Sequence, residues 1–391
     1  MARIAMLLAN PFRPDPRVLK EARSLTDHGH QVMIICWDRE NAYPASERLA
    51  PTLQVRRLQG IRSSYGIGAR QILPLMRFWL ASTPALNAFD PDVVHCHDFD
   101  TLPAGLLWGK FHRRRVIYDA HEHYADLVKP RLVGRMGTWL YRVIHSAESV
   151  CASLADAVIT VDETLAAIYR RLHNNVIVLG HYPPIQMAQV ATPVFSRAEL
   201  TMVYAGRLSS DRGLQLYADL LRNLINQGIP ARLKLVGVFT PKQEEQLFAS
   251  AVQGLETHVE ITGWLPYDTM SEALRTADVG LALFQSEARY LNAMPVKLFE
   301  YMACGLPVVA SDFPAIASVV RSADCGALVD AHVGAQDIAR ILISWWMKPE
   351  NPQRLGENGR KAALNMYNWE NLEKRLINLY LELLGQAASP G

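Results

Sequence analysis

Short apolar runs alternate with helical patterns along this chain, and this alternation limits the possible folds more than any other feature of the sequence. Ile4–Leu8 is a continuous apolar run, as expected of a β-strand that is covered on both faces. A helical pattern follows, with Val18, Ala22 and Leu25 on one face, and Val32–Cys36 is a second apolar run. These segments predict a strand–helix–strand unit, the building block of parallel sheets.

The same pattern restarts near residue 201, so the 391-residue chain is predicted to contain two α/β domains. Met202–Ala205 is a predicted strand, Leu214–Gln227 a predicted helix and Leu233–Val236 the next predicted strand. Further strands are predicted at Val93–His95, Val116–Tyr118, Ala157–Val161, Val176–Leu179, Val259–Thr262, Val279–Phe284, Val308–Ala310 and Ala327–Val329. The predicted fold class is therefore α/β, with two doubly wound, mostly parallel sheets.

Domain boundaries are predicted from composition. The segment His181–Leu200 contains three prolines and has no clear period, which is typical of a linker. We expect a first domain over residues 1–185, a second over 186–367 and a final helical segment over 368–391. That last segment carries leucines at helical spacing, an apolar stripe that needs a partner surface on either domain.

Composition excludes several classes of protein. A net charge of +2 gives no global field that would favour nucleic acid as a partner. The five cysteines are scattered and form no Cys-x-x-Cys pair, which argues for a reducing compartment and against structural zinc or a disulfide framework. No apolar stretch reaches the ~18 residues of a membrane span, and the N-terminal run is interpreted as a strand rather than a signal peptide. We therefore expect a cytoplasmic protein.

The loop GRLSSDRG, after the predicted strand Met202–Ala205, places two arginines near the start of a helix. In open α/β sheets, ligands bind beyond the carboxyl ends of the strands, and guanidinium groups beside a helix N-terminus suit a diphosphate. Arg207 and Arg212 could form such a clamp. They could equally be solvated surface arginines, one of them beside Asp211.

The segment PVKLFEYMAC (Pro295–Cys304) predicts a short amphipathic helix with Pro295 at its first position and Gly305 after its end. Its apolar residues favour the core, whereas Lys297 and Glu300 share the opposite stripe. Glu300 beside a cleft could accept hydrogen bonds from two neighbouring hydroxyls, as a ribose offers. The alternative is an exposed Lys297–Glu300 ion pair, which contributes roughly a few tenths of a kcal/mol.

Histidines and acids follow two strands of the first half, in His95–Gly105 and Val116–Asp126. Their spacing matches no standard zinc signature, so no metal is expected. Asp98-Phe99-Asp100 has the form of a metal-binding DxD, but we interpret it as the cap of the helix that follows. The loop RPDPRVLKEA lacks the glycines of dinucleotide and ATP sites, and its Arg13 and Arg17 are either cleft cations or surface charges.

Motifs in order along nearly the whole chain resemble the glycosyl transferases of group 1 (family 4). They are DPRVLKEARSL, YAGRLSSDRGL, ITGWLP and, the longest and most specific, PVKLFEYMACGLPVVAS. The resemblance implies a GT-B fold, in which two Rossmann-like domains face a central cleft. It also implies a retaining enzyme whose nucleotide-sugar donor binds the C-terminal domain, and a final helix that crosses back to the N-terminal domain.

The resemblance also assigns individual roles. Arg207 and Arg212 match the family's diphosphate-binding basic pair, and Glu300 matches the second Glu of its E-x7-E motif, which binds the ribose. His121 matches the active-site histidine near the transferred sugar, so the predicted catalytic residues are His121 and Glu300. The full predicted donor site is Gly206, Arg207, Arg212, Val236, Gly237, Val238, Trp264, Asn292, Ala293, Met294, Pro295, Val296 and Glu300. The predicted acceptor side is Arg13, Arg17, Asp98 and His121.

One position departs from the family pattern. Asn292 stands where the first Glu of E-x7-E is expected, and asparagine keeps hydrogen-bonding capacity without the charge. This leaves the donor sugar open, and it keeps a non-catalytic nucleotide-binding partner subunit as an alternative. Two further alternatives are a sugar-nucleotide epimerase of the same fold and a two-lobed periplasmic binding protein, against which the expected lack of a signal peptide counts.

The predicted activity is that of a hexosyl- or N-acetylhexosaminyl-transferase of polysaccharide biosynthesis. Its donor would be a UDP- or GDP-sugar, and its acceptor a glycan, a lipid-linked or a small molecule. Arginines and helix N-termini would stabilise the leaving diphosphate, so neither metal nor cofactor is expected. Cations and aromatics in Lys110–Arg115 and Val128–Ile144 indicate either peripheral contact with the inner face of a membrane or a solvated basic surface.

Overall fold

A computed structural model describes residues 1–13, 15–63, 71–129, 132–191, 195, 198–285 and 294–385. The chain divides into two compact units. The first comprises Met1–His181 together with the chain from Leu372 onward, and the second comprises Tyr182–Asn371. Among the described residues, no helix combines the length and the apolar composition that a bilayer span requires.

The first unit contains an eight-stranded sheet. Its strands are β1 (Arg3–Leu8), β2 (Gln31–Trp37), β3 (Ser46–Ala50), β4 (Leu53–Leu58), β5 (Val93–His97), β6 (Arg115–Ala120), β7 (Ala157–Thr160) and β8 (Val176–Val178). Their order is β3-β4-β2-β1-β5-β6-β7-β8, and only β3 and β4 pair antiparallel. The sequence patterns missed this edge hairpin because Ser46–Ala50 is polar and largely exposed, without the apolar run that marks a buried strand.

Helices of the first unit connect these strands. They are α1 (Pro16–Asp27), α2 (Ile72–Phe89), α3 (Leu102–Phe111), α4 (Tyr124–Val128), α5 (Gly134–Leu154) and α6 (Glu163–Tyr169). β1 pairs with β2 on one side and with β5 on the other, so the strand order reverses beside β1. Ligand sites of open α/β sheets lie at the carboxyl ends of the strands at such a switch point.

The second unit contains a six-stranded, wholly parallel sheet. Its strands are β9 (Leu200–Ala205), β10 (Ala231–Val236), β11 (Val259–Gly263), β12 (Val279–Ala282), β13 (Val308–Ser311) and β14 (Gly326–Val329). The order β11-β10-β9-β12-β13-β14 places a second switch point between β9 and β12. The helices are α7 (Gln186–Gln189), α8 (Leu214–Asn226), α9 (Gln243–Ala251), α10 (Tyr267–Arg275), α11 (Val296–Ala303), α12 (Pro314–Ala323), α13 (Ala335–Met347) and α14 (Glu350–Asn365).

Two tyrosines fix elements that matter for the sites below. Tyr301 of α11 lies against Gly280, accepts a hydrogen bond from Ala205 N–H at 2.9 Å and donates to Leu281 O at 3.3 Å, so it ties β9 to β12. The last helix, α15 (Trp369–Leu383), carries Tyr380, which is fully buried in the first unit.

Candidate functional site

The loops after β9 and β10 run side by side at the switch point of the second unit. Gly206 N–H donates to Val236 O at 2.8 Å, and Leu208 N–H donates to Val238 O at 2.9 Å. A side chain on Gly237 would come within 1.8 Å of the Gly206 carbonyl oxygen, so this close approach requires glycine. The backbone of the GRL segment is therefore held at the carboxyl edge of the sheet.

The two arginines of this loop differ in their surroundings. Arg207 is 40% exposed along its side chain and donates through Nη2 to Asp211 Oδ2 at 2.9 Å. Arg212 ends a short 3₁₀ turn, is partly buried and lies 5.8 Å from the centre of the Phe284 ring. One feature of the surface alternative, a pairing with Asp211, is thus present for Arg207.

A buried lysine is the strongest electrostatic feature of this edge. Lys297 of α11 is only 6% exposed, and its Nζ lies 3.6 Å from the centre of the Tyr204 ring and makes no hydrogen bond. A side chain on Gly206 would approach that Nζ to 3.0 Å, so the amine lies directly against the GRL backbone. Burial lowers the pKa of Lys297 well below its usual value, and Arg212 lowers it further, whereas Glu300 acts in the opposite direction.

Lys297, Arg207 and Arg212 together form an arrangement that favours an anion. An amine without a hydrogen-bond acceptor is costly to bury, and two neighbouring guanidinium groups make its charged form less favourable still. An approaching diphosphate would supply both acceptors and negative charge. The sequence patterns gave Lys297 no role in the donor site, because they considered it only as a possible partner of Glu300 on the stripe opposite the core.

Helix α11 is buried on both faces, which corrects the two-stripe prediction. All residues from Lys297 to Ala303 are buried, and Glu300 is 8% exposed, so the predicted alternative of an exposed Lys297–Glu300 pair is wrong. Pro295 is the N-cap rather than the first helical residue, a shift of one position. Met294, Pro295 and Val296 are partly buried, and Asn292 and Ala293 lie outside the described residues.

Three residues of the predicted donor site, Val236, Val238 and Trp264, lie at or just beyond the ends of β10 and β11. Val236 is buried, whereas Val238 is 49% and Trp264 58% exposed. An isolated bridge joins Gly237 to Gly263, so Val238 and Trp264 flank the same pair of backbone segments. The structure thus places these predicted residues at the carboxyl edge that also carries Gly206.

In the first unit, His121 lies between two carboxylates just beyond β6. Its Nε2 is 3.1 Å from Asp119 Oδ2, and its Nδ1 is 3.2 Å from Asp98 Oδ1. Burial alone would lower the pKa of His121, but Asp119 and Asp98 outweigh it and hold the pKa well above its usual value. Both carboxylates therefore favour the protonated form of His121. The predicted capping role of Asp98-Phe99-Asp100 is wrong, since Thr101 is the N-cap residue of α3.

The two arginines predicted on the acceptor side, Arg13 and Arg17, differ in the charged residues that surround them. Burial works against the charge of Arg17, but Asp15, Asp98 and Asp119 raise its pKa, so its guanidinium lies in the field of the His121 group. Arg13 forms an exposed ion pair with Glu47. Arg13 thus has the surroundings of a surface charge.

Three further titratable residues lie buried beside Asp119, and sequence patterns assigned them no role. His95 and His97 lie two residues apart on β5, with ring centres 4.4 Å apart, and Glu21 Oε2 of α1 is 3.8 Å from His95 Nε2. The sequence contained one indication that Glu21 is buried. It falls among Val18, Ala22 and Leu25 on the apolar face of α1.

Comparison with known families matches both halves of the chain. The model described as "Glycosyltransferase Family 4" matches residues 17–179. The model described as "Glycosyl transferases group 1" matches residues 191–362. The two matches follow one another along the chain, and their ranges correspond to the two sheets.

Individual relatives extend these matches. A GDP-mannose-dependent alpha-(1-6)-phosphatidylinositol dimannoside mannosyltransferase of Mycobacterium tuberculosis is 25% identical over 322 residues, which cover 80% of this chain and 78% of the relative. Sucrose-phosphate synthase from Thermosynechococcus elongatus superposes with a TM-score of 0.77 at 17% identity, covering 98% of this chain and 100% of that structure. The Anabaena protein HepE, in complex with UDP and glucose, superposes with a TM-score of 0.69 at 14% identity and covers the same shares.

Proposed function

We propose where the donor binds and how the reaction proceeds, starting from the fact that this chain belongs to the glycosyl transferases of group 1. It is a nucleotide-sugar-dependent glycosyltransferase with the GT-B fold. The observation that carries the proposal is the buried, unbonded amine of Lys297 beside Arg207 and Arg212. We assign the donor diphosphate to these three cations and the ribose to Glu300.

The proposed reaction is transfer with retention at the anomeric carbon. The bond from that carbon to the diphosphate oxygen breaks, and the acceptor hydroxyl oxygen bonds to the same face while its proton passes to the leaving diphosphate. Negative charge grows on the diphosphate, so cations fixed in advance lower the barrier without a metal ion. A product whose anomeric configuration differs from that of the donor would overturn the assignment of retention.

We propose that His121 orients the transferred sugar. Its imidazolium has two N–H groups, and the one facing Asp98 has a partner whose side chain is 41% exposed. That N–H can exchange its acceptor Asp98 for the oxygen of a sugar hydroxyl. The N–H that faces the buried Asp119 keeps the ring in place.

The identity of the base can be tested by thermal stability against a panel of nucleotide diphosphates and their sugars. A ligand that binds only the folded protein raises the melting temperature by mass action. We expect one base, uracil or guanine, to give the largest increase, since the mannosyltransferase relative is named as GDP-mannose-dependent and the HepE structure contains UDP.

Each measurement is repeated with EDTA. The quantity compared is the rise in melting temperature caused by the nucleotide, not the melting temperature of the unliganded protein. We expect that increment to be unchanged by EDTA. If no nucleotide raised the melting temperature, the donor-site proposal would be overturned and a non-catalytic subunit would be favoured. Conversion of the sugar nucleotide without any acceptor would favour the epimerase.

We propose an anionic membrane surface as the place where the acceptor is met, because α5 carries an exposed apolar stripe. Met136, Trp139, Val143, Val150 and Leu154 recur at helical spacing and are 42–76% exposed. Exposed Arg135 and Arg142 lie on the same helix. An amphipathic helix with cations beside its apolar face binds anionic bilayers, so a lipid-linked acceptor fits this surface.

The basic segment Lys110–Arg115 adds less to this surface than its composition indicates. Lys110 and Arg115 both pair with Asp156, at 3.1 and 2.9 Å. Arg114 pairs with Asp90 and Asp92. These acids offset the attraction of three cations for an anionic leaflet, so the apolar stripe of α5 carries the proposal.

Replacing Met136 and Trp139 together by serine is expected to weaken binding to anionic vesicles at least about tenfold, because two apolar side chains no longer enter the bilayer interface. Flotation with phosphatidylglycerol-containing and purely zwitterionic vesicles measures the effect. Leu247→Ser on α9 is the matched control, since Leu247 is also an exposed apolar residue but lies in the second unit. Wild-type protein that floats with neither vesicle would exclude the membrane surface.

A further inference from the structure

We propose that Glu21, His95, His97 and Asp119 form a zinc site inside the first unit. One residue lies on α1, two lie on β5 and one on β6, so the chain brings them together only on folding. One ligand atom from each residue lies within 4.8 Å of the others. The group lies apart from the cations proposed to bind the donor diphosphate, which belong to the second unit, but it shares Asp119 with the His121 pair.

All four side chains are buried, and several of their polar atoms lack a hydrogen bond. Exposure is 4% for Glu21, 0% for His95, 3% for His97 and 2% for Asp119. Glu21 Oε2, His95 Nε2 and His97 Nε2 make no hydrogen bond, and His97 Nδ1 contacts Asp119 Oδ2 without the geometry of one. Interior polar atoms are nearly always bonded, so unbonded atoms on three neighbouring buried residues favour a further group that would partner them.

Two of three distances within the group are too long for a direct hydrogen bond. His95 Nε2 lies 3.8 Å from Glu21 Oε2 and 3.7 Å from Asp119 Oδ2, which is beyond hydrogen-bond range. His97 Nδ1 lies 2.9 Å from Asp119 Oδ2. Two ligands of a tetrahedral zinc ion, with bonds of ~2.0–2.1 Å, are about 3.3 Å apart. Shifts of about half an ångström would bring these pairs to that separation.

The ligand types and their neighbours favour zinc. Two imidazoles with two carboxylates match the ligands of zinc rather than those of calcium or magnesium, and a divalent ion would balance both carboxylates in their ionised form. Ligating histidines generally hydrogen-bond through their second nitrogen, and His95 Nδ1 lies 2.8 Å from the Tyr380 hydroxyl. Asp119 also contacts His121, so a bound ion would fix the carboxylate that positions that ring.

The sequence predicted no metal because the four ligands follow no short motif. Glu21 is separated from His95 by more than 70 residues, and only the two histidines of β5 are close in sequence. Their convergence follows from the strand order, which places β1 with its following helix beside β5, and β5 beside β6. No spacing rule for zinc contains this arrangement.

Metal analysis of the full chain tests the proposal directly. Protein freed of any affinity tag is loaded with zinc chloride, dialysed and measured by inductively coupled plasma mass spectrometry. We expect about one zinc ion per chain in the wild type, and at least about a tenfold weaker affinity in Glu21→Gln and in His97→Ala. The melting temperature of the wild type should rise with zinc, because the ion binds only the folded site.

His28→Ala is the matched control, because His28 is an exposed histidine at the C-terminal end of α1 and outside the group. It should keep the full zinc content. Glu21→Gln preserves the size of the side chain, so it remains informative if His97→Ala does not fold. Loaded wild type without bound zinc would overturn the proposal, as would an equal zinc content and affinity in both ligand variants.

Discussion

Replacing Lys297 by methionine is expected to weaken binding of the donor diphosphate about 10- to 100-fold and, at the same time, to raise the melting temperature of the unliganded protein. Hydrogen bonds to charged groups contribute about 1.5–3 kcal/mol, which corresponds to this loss of affinity. In the absence of ligand the same amine is buried without a hydrogen bond, between aromatic rings and near two arginines. Methionine removes that cost, and about 1 kcal/mol corresponds to about 2–4 °C for a unit of this size.

The pH dependence of both effects has a definite sign. Burial lowers the pKa of Lys297 in the folded protein below the 10.5 of an ordinary lysine. Between these two pKa values the unfolded chain binds more protons than the folded protein, so the contribution of Lys297 to stability rises with pH. The gain in melting temperature from Lys297→Met should therefore shrink as the pH approaches 10.5. Binding of an anion raises the pKa again, so diphosphate affinity should fall as the pH rises.

Calorimetry in buffers of different ionisation enthalpy measures the proton taken up when the nucleotide binds. Uptake should be larger for the wild type than for Lys297→Met. Lys234→Met is the matched control, because Lys234 is a buried lysine of the same unit whose Nζ is 2.8 Å from Thr276 Oγ1 and 3.2 Å from Glu260 Oε1. That variant should lose stability and keep nucleotide affinity. Equal diphosphate affinity in Lys297→Met and wild type would remove the lysine from the donor site.

Much of the fold could be predicted from the sequence because buried parallel strands are continuous apolar runs. The strands from Ile4 to Val329 that carried such runs are present, with ends shifted by a few residues. The hairpin Ser46–Leu58 could not be predicted in this way. Its first strand is polar and lies at the sheet edge, where a strand needs no apolar face to be stable in the sheet.

The candidate sites were predicted less completely because pairing between distant residues is invisible in a sequence pattern. Arg207 and Glu300 could be identified from motifs, whereas the burial of Lys297 depends on packing against Tyr204, which is more than 90 residues away. Glu21 has the same character, since a single acid on an apolar helix face indicates burial without showing its partners. Motifs identified the residues at strand ends, and the strand order decided which of them meet.

Replacing Glu300 by glutamine is expected to weaken nucleotide binding about tenfold and to leave the fold intact. The substitution keeps the size of a side chain that is 8% exposed, but a ribose would lose a charged acceptor. Isothermal titration with the nucleotide diphosphate and with its 3′-deoxyribose analogue measures the effect. The loss should be smaller for the analogue, because a hydroxyl that binds Glu300 is already missing. An equal loss for both ligands would show that Glu300 does not contact that hydroxyl.

Glu300 also affects the pKa of Lys297, so its direct contribution to nucleotide binding must be distinguished from its effect through the lysine. Glu300 favours the charged form of the lysine, and Glu300→Gln would therefore lower the pKa of Lys297 further and weaken diphosphate binding indirectly. A double-mutant cycle with Lys297→Met isolates this route. If Glu300 binds ribose directly, its substitution still costs affinity in the Lys297→Met background. If Glu300 acts only through the lysine, the second substitution has no effect there, and the ribose assignment fails while the diphosphate assignment stands.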